Sequence, residues 1–176
     1  MNKIEIYVDL DDVVADWMGF ARNFLKNPIP VGGVRVPDQE WNKLRNQQRM
    51  YRDLEVREGA YELMEWLQDY KAITKCGLYF LTAVPRRNDF PYAPMDKVNW
   101  CNKYFPGIPC FIGPYSHEKV DRCSGNNSLL LDDRLDNCTQ WREAGGRAHQ
   151  YKKWEDCKSW LEEELSLIHI SEPTRH

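Results

Sequence analysis

Twice in this chain a short apolar run stops at acidic residues. Ile4-Glu5-Ile6-Tyr7-Val8 runs into Asp9-Leu10-Asp11-Asp12, and Leu129-Leu130-Leu131 runs into Asp132-Asp133. Apolar runs this short, set between segments with apolar residues at helical spacing, read as buried strands of a parallel sheet. Val14, Trp17, Met18, Ala21, Phe24 and Leu25 recur at that spacing after the first run, and Ala60, Leu63, Met64 and Leu67 form a second helical face before Gly77-Leu78-Tyr79-Phe80-Leu81-Thr82. Helices over 95–105, 137–144 and 154–164 are expected to alternate with strands over 110–112, 128–131 and 147–151. The order predicts an α/β fold, a Rossmann-like, doubly wound and mostly parallel sheet.

One stretch interrupts the alternation. From Asn27 to Glu58 the text turns to Pro28, Pro30, Gly32, Gly33, Pro37, Trp41 and Tyr51, with Pro37-Asp38-Gln39-Glu40 opening a short helix. It reads as a small helical cap inserted after the first strand-helix unit. The expected division is therefore 1–26 and 72–164 as the α/β core and 27–71 as the cap. Periodicity stops after Glu164. Leu165-Ser166-Leu167-Ile168-His169-Ile170-Ser171-Glu172-Pro173-Thr174-Arg175 matches, in order, the translation of a transposase adapter used in sequencing libraries, so 165–176 is expected to be a non-native tail without function.

Composition narrows the function classes. The 176 residues suit one domain with a real core, and 42% hydrophobic residues exclude a disordered class. With 24 Lys and Arg against 27 Asp and Glu there is no basic surplus to hold a nucleic acid in a stable complex, while small phosphorylated substrates stay compatible. No run approaches the roughly 20 apolar residues that cross a bilayer, so no membrane association and a cytoplasmic location are expected. Six cysteines contain no C-x-x-C pair and the four histidines do not cluster with them, which points to reduced structural thiols, not to a zinc site or a disulfide framework.

The acids sit where chemistry is expected. Ligands of open α/β sheets bind at the carboxyl ends of strands, and carboxylates crowded there repel one another unless a cation such as Mg²⁺ bridges them. A lone D-x-D is as readily a turn or a helix cap. Two acidic strand ends together favour a metal site of Asp9, Asp11, Asp132 and Asp133. Asp9 and Asp11, two residues apart along an extended chain, can both address one ligand, with Asp12 facing elsewhere.

These residues carry a resemblance. Asp9-Leu10-Asp11-Asp12-Val13, Thr82 in Phe80-Leu81-Thr82-Ala83, Lys119, and Leu131-Asp132-Asp133 are similar, in order, to the four motifs of haloacid dehalogenase superfamily phosphatases. The closest likeness is to 5'(3')-deoxyribonucleotidases of the phage and bacterial type, through Val14-Ala15-Asp16-Trp17, Asp53-Leu54-Glu55, Gly59-Ala60, Trp100, Lys103-Tyr104-Phe105 and Asp132-Asp133-Arg134. It covers about Ile4 to Glu164. Two departures stand out: the family's glycine after the second acid is Asp12, and its serine after the motif-two threonine is Ala83.

The resemblance implies a Mg²⁺-dependent phosphomonoesterase acting on a small phosphate ester, a deoxynucleoside monophosphate. Asp9 would be the nucleophile and Asp11 the general acid and then base, with Mg²⁺ held by Asp9, the Asp11 carbonyl and the Asp132/Asp133 pair, the direct ligand of that pair being open. Thr82, Ala83 and Lys119 would bind the phosphate. Trp17 and Tyr51 would meet the base, and Arg134 would bind phosphate or pair with Asp136. His117 and the remaining tryptophans are assigned no role at the site. Other readings of the same residues are a phosphatase for another small metabolite or a nucleic-acid end, and a nucleotide-binding module without turnover.

Overall fold

The computed structural model describes residues 3–25, 36–85, 89–113 and 115–170, with the side chains of 167–170 excepted. The opening of the expected cap, 27–35, and the end of the expected tail, 171–176, lie outside the described residues.

Five strands form one all-parallel sheet in the order β3-β2-β1-β4-β5, with β1 Glu5–Val8, β2 Gly77–Ala83, β3 Cys110–Gly113, β4 Ser128–Asp132 and β5 Arg147–Gln150. Each apolar run of the sequence became a strand. The chain winds outward from β1 to β3, then returns to the other side of β1 for β4 and β5, so β1 and β4 border the point where the strand order reverses. Among the described residues seven α-helices connect or flank them: α1 Trp17–Leu25, α2 Asp38–Leu44, α3 Met50–Asp53, α4 Ala60–Thr74, α5 Ala93–Tyr104, α6 Leu135–Glu143 and α7 Trp154–Ile170. A 3₁₀ helix spans Ser116–Arg122. This is an α/β, Rossmann-like architecture.

The period-two alternation of the strands sorts the core into two layers. Ile6, Val8, Leu78, Phe80, Leu129 and Leu131 face one side, where α4, α5 and α7 pack through Leu63, Leu67, Trp100, Cys101, Cys157 and Leu161. Tyr7, Leu81, Leu130 and Ala148 face the other, covered by Cys138 and Trp141 of α6. The six cysteines are all free thiols. Among the described residues no helix is long and apolar enough to cross a membrane.

Two boundaries differ from the sequence expectation. Residues 60–71 were expected in the cap, but they belong to α4, which buries Ala60, Leu63, Met64 and Leu67 and packs against β2 and α7. Between α1 and α4 the described residues carry α2 and α3. The second difference is at the tail: α7 does not stop at Glu164 but runs to Ile170, and Leu165 is buried in the larger core cluster. The reason is a stripe of residues four apart, Cys157, Leu161 and Leu165, which carries the apolar face one turn further.

The inserted segment is tied down at the start of α5. Arg49 makes a two-pronged ion pair with the buried Asp96, at 2.9 and 2.7 Å, and Trp100 Nε1 donates to the Leu54 carbonyl at 2.8 Å.

Candidate active site

Strand register assembles the site. Val8 lies opposite both Phe80 and Leu131, so Asp9 and Asp132, each one residue further along, leave the sheet side by side at the reversal point. They share the face of Tyr7 and Leu130, the α6 side. Thr82, two residues past Phe80, falls on the opposite face, the α5 side.

A buried lysine comes from each face. From the 3₁₀ helix, Lys119 Nζ lies 2.7 Å from Asp9 Oδ1 and 2.7 Å from Asp132 Oδ2, with all three side chains buried. From α5, Lys97 Nζ donates to Asp11 Oδ2 at 2.6 Å and to Thr82 Oγ1 at 2.9 Å. Lys119 thus lies between the acids that end β1 and β4. Its ammonium is held charged, well above the usual lysine range, because Asp132 and Asp9 outweigh the opposing effect of burial.

The acids differ in how they are satisfied. Asp132 Oδ1 accepts from the Arg134 amide at 2.9 Å and from Asn137 Nδ2 at 3.0 Å, while its Oδ2 accepts from the same Asn137 nitrogen at 2.9 Å and from Lys119. Asp9 Oδ1 accepts the Leu10 amide at 2.8 Å besides Lys119. Burial pushes the Asp9 carboxyl up to about 7, against the pull of Lys119 and with the added push of Asp132 and Asp11. Asp133 is pushed up to about 8, again chiefly by burial and then by the charges of Asp9 and Asp132.

Carboxylate oxygens of Asp9, Asp132 and Asp133 lie within 4.8 Å of one another. Three hard oxygen donors this close, two of them raised by burial and mutual repulsion, fit a divalent cation such as Mg²⁺. Both Asp132 oxygens accept hydrogen bonds, whereas Asp133 carries the upward push of burial and of its neighbours. The Asp11 side chain turns to Lys97, while its carbonyl is the atom expected among the metal ligands.

Asp12 explains a departure from the expected motif. Its backbone has φ +60°, a left-handed conformation that glycine adopts freely and that Asp tolerates better than most residues. Its side chain turns to α1: Oδ1 accepts the Met18 amide at 2.8 Å in the first turn, beside Asp16 Oδ1, which accepts the Gly19 amide at 3.0 Å. Burial pushes the Asp12 carboxyl up to about 6.

The expected base-binding residues differ in exposure. Trp17 opens α1 with its half-buried ring 6.5 Å from that of Trp41, which itself packs edge-on against Phe90 at 5.4 Å. Tyr51 is buried, with Lys97 Nζ over its ring at 4.5 Å and Phe90 against its edge at 5.5 Å. A ring enclosed in that way supports the site from beneath. Arg134 is exposed and touches the site through its amide; Ala83 ends β2 beside Thr82 and supplies no hydroxyl.

Sequence reasoning passed over Lys97, Asn137 and Asp96. A signal was present for two of them: Asp96 and Lys97 share the α5 face of Ala93, Trp100 and Cys101, and charged residues at core positions of an amphipathic helix need buried partners.

No family model matches the chain, and no curated protein matches it. Solved structures do. A hydrolase from Pseudomonas syringae superposes with a TM-score of 0.55 at 13% identity, covering 92% of this chain and 99% of that one. A hydrolase from Streptococcus pneumoniae gives 0.53 at 14% identity, covering 92% and 100%. A haloacid dehalogenase family enzyme from Bacteroides thetaiotaomicron, in its magnesium complex, gives 0.52 at 13% identity, covering 92% and 99%. The chain shares the fold of haloacid dehalogenase hydrolases.

Proposed function

We propose that this protein is a Mg²⁺-dependent phosphomonoesterase working through an aspartyl-phosphate on Asp9, and that its substrate is a deoxynucleoside monophosphate. The observation that carries the reaction is the meeting of Asp9, Lys119, Asp132 and Asp133 at the strand-order reversal, with Asp11 and Thr82 alongside. The shared fold with a family enzyme in a magnesium complex supports it.

Asp9 Oδ1 is held by Lys119 and the Leu10 amide, which leaves Oδ2 to form the bond to phosphorus while the ester P–O bond breaks. Asp11 gives a proton to the leaving oxygen. It then takes one from the water that attacks the aspartyl-phosphate, releasing inorganic phosphate and restoring Asp9. Thr82 and Lys119 bind the phosphoryl oxygens. Asp9, the Asp11 carbonyl and the Asp132/Asp133 pair would hold Mg²⁺, which would supply positive charge to offset the repulsion between carboxylate and phosphate.

The nucleotide reading rests on the aromatic group next to Asp11. Tyr51 lies under the influence of the Asp11 charge, and the Trp17 and Trp41 rings, 6.5 Å apart, continue the wall. We assign base stacking to Trp17. Free thiols and the lack of a basic surplus accord with a cytoplasmic enzyme of small molecules.

The test is phosphate release from a panel of nucleoside monophosphates with Mg²⁺, beside p-nitrophenyl phosphate. Hydrolysis of both kinds of ester, abolished by Asp9→Asn and by chelator, is expected; no release from any ester overturns the reaction, and release from p-nitrophenyl phosphate alone overturns the nucleotide. Trp17→Ala should lower kcat/KM for the nucleotide about 5- to 150-fold, the worth of one stacked base, while largely sparing the aryl ester. An equal fall for both substrates would remove Trp17 from the base site.

A further inference from the structure

We infer that Lys97 is a positioning residue for Asp11: it fixes which oxygen of that carboxyl meets the leaving group, and it links that orientation to the inserted segment through Tyr51. The inference rests on the phosphomonoesterase reading and adds to it a residue outside the four motifs.

Lys97 is buried, at 1% exposure, on the first turns of α5. A buried ammonium has to be fully partnered, and this one has three partners from three parts of the fold. Asp11 Oδ2 lies at 2.6 Å, Thr82 Oγ1 of β2 at 2.9 Å, and the ring of Tyr51 in α3 has its centroid at 4.5 Å. The other oxygen of the acid, Asp11 Oδ1, is buried without a hydrogen-bond partner. A carboxyl with one oxygen clamped and the other uncommitted has a single productive orientation, so Oδ1 is the atom that serves the ester oxygen. Without Lys97, the side chain would rotate among several orientations, and proton delivery is sensitive to displacements of about 1 Å, which cost on the order of 10²-fold.

The contact with Tyr51 gives the clamp a second function. Asp96, the neighbour of Lys97, holds Arg49 just before α3, so two successive residues of α5 grip the segment that carries Tyr51. Lys97 therefore ties the acid to the wall on which we place the nucleoside.

The consequence is specific to the leaving group. An ester with a poor leaving group, phenyl phosphate, needs the proton from Asp11 as its P–O bond breaks; p-nitrophenyl phosphate, nearly the same size, releases a stable anion and needs it little. The measurement is kcat/KM for both esters with Mg²⁺, in wild type, Lys97→Met, Asp11→Asn and the double variant, with a thermal melt of each. Lys97→Met should lower kcat/KM for phenyl phosphate about 10²-fold and for p-nitrophenyl phosphate at least tenfold less. In the Asp11→Asn background the same change should add less than about threefold, because two residues acting through one proton are not additive.

Equal losses for the two esters in Lys97→Met, or full additivity in the double variant, would overturn the inference and make Lys97 a structural ion pair. Should Lys97→Met melt below the assay temperature, Asp11→Asn and the double variant, in which neither charge is left alone, decide the matter by the same additivity criterion. A wild type inactive on both esters is a different result: it overturns the phosphomonoesterase reading, and the assignment of Lys97 with it.

Discussion

Asp12 shows how one residue satisfies two demands that the loop after β1 makes. The chain must turn sharply enough for the Val13, Val14 and Ala15 amides all to reach the Leu10 carbonyl, at 3.2, 3.0 and 2.9 Å, and position 12 takes up the left-handed backbone that this needs. Glycine would meet that demand alone. Asp12 also accepts the Met18 amide, so its side chain caps α1 as Asp16 does. Asp12→Ala removes the cap and leaves a Cβ residue at positive φ, which should cost about 1–2 kcal/mol, whereas Asp12→Gly should cost only a few tenths. Thermal melts of the two variants check this. A glycine variant less stable than the alanine variant would mean that the backbone at this position is not the constraint.

At the scale of elements, the first four strands were legible because each holds a short apolar run with a turn at its end, and the acids after β1 and β4 were legible as neighbours because each follows such a run. Helix α5 was harder. Its periodicity is mixed with charge, since Asp96 and Lys97 occupy core positions and face Arg49 and Asp11, partners 47 and 86 residues away that no local pattern reveals. Asn137, which orients Asp132 from the first turn of α6, carries no spacing signal at all. The end of α7 failed for the opposite reason: Leu165 continues the stripe of Cys157 and Leu161, but the residues after it lack that periodicity and drew the boundary too early. Leu165 is 2% exposed, and Leu165→Ala should destabilise the fold by about 2–5 kcal/mol, as for other buried leucines. At this chain length that is a fall in Tm of several degrees. An unchanged melting temperature would show that the last turns of α7 do not pack.

The whole molecule concentrates repelling acids at one end of the sheet, and this should govern how its stability responds to pH and to metal. In the unfolded chain, Asp carboxyls titrate near 4. In the folded, metal-free protein, burial raises Asp12 to about 6, Asp9 to about 7 and Asp133 to about 8, so between pH 4 and pH 8 the native state binds more protons than the unfolded one. Stability therefore declines as pH rises: the contribution of these groups is fully present below about pH 4 and is lost progressively towards pH 8. On the proposed reading, Mg²⁺ would reverse the cost. It takes deprotonated carboxylates, so its binding must displace the protons that Asp9 and Asp133 hold at low pH, and its affinity should climb across the same window. A ligand at a hundredfold excess over its Kd stabilises the folded state by about 2.7 kcal/mol, and a tenfold weaker affinity at the same concentration lowers that by about 1.4 kcal/mol. At a fixed Mg²⁺ concentration, the rise in Tm on adding metal should be small at pH 5 and larger at pH 8. The difference between melts with and without metal removes the contribution of groups elsewhere in the chain. A shift of equal size at both pH values would detach metal binding from Asp9 and Asp133, and no shift at either would argue against a divalent cation at this end of the sheet.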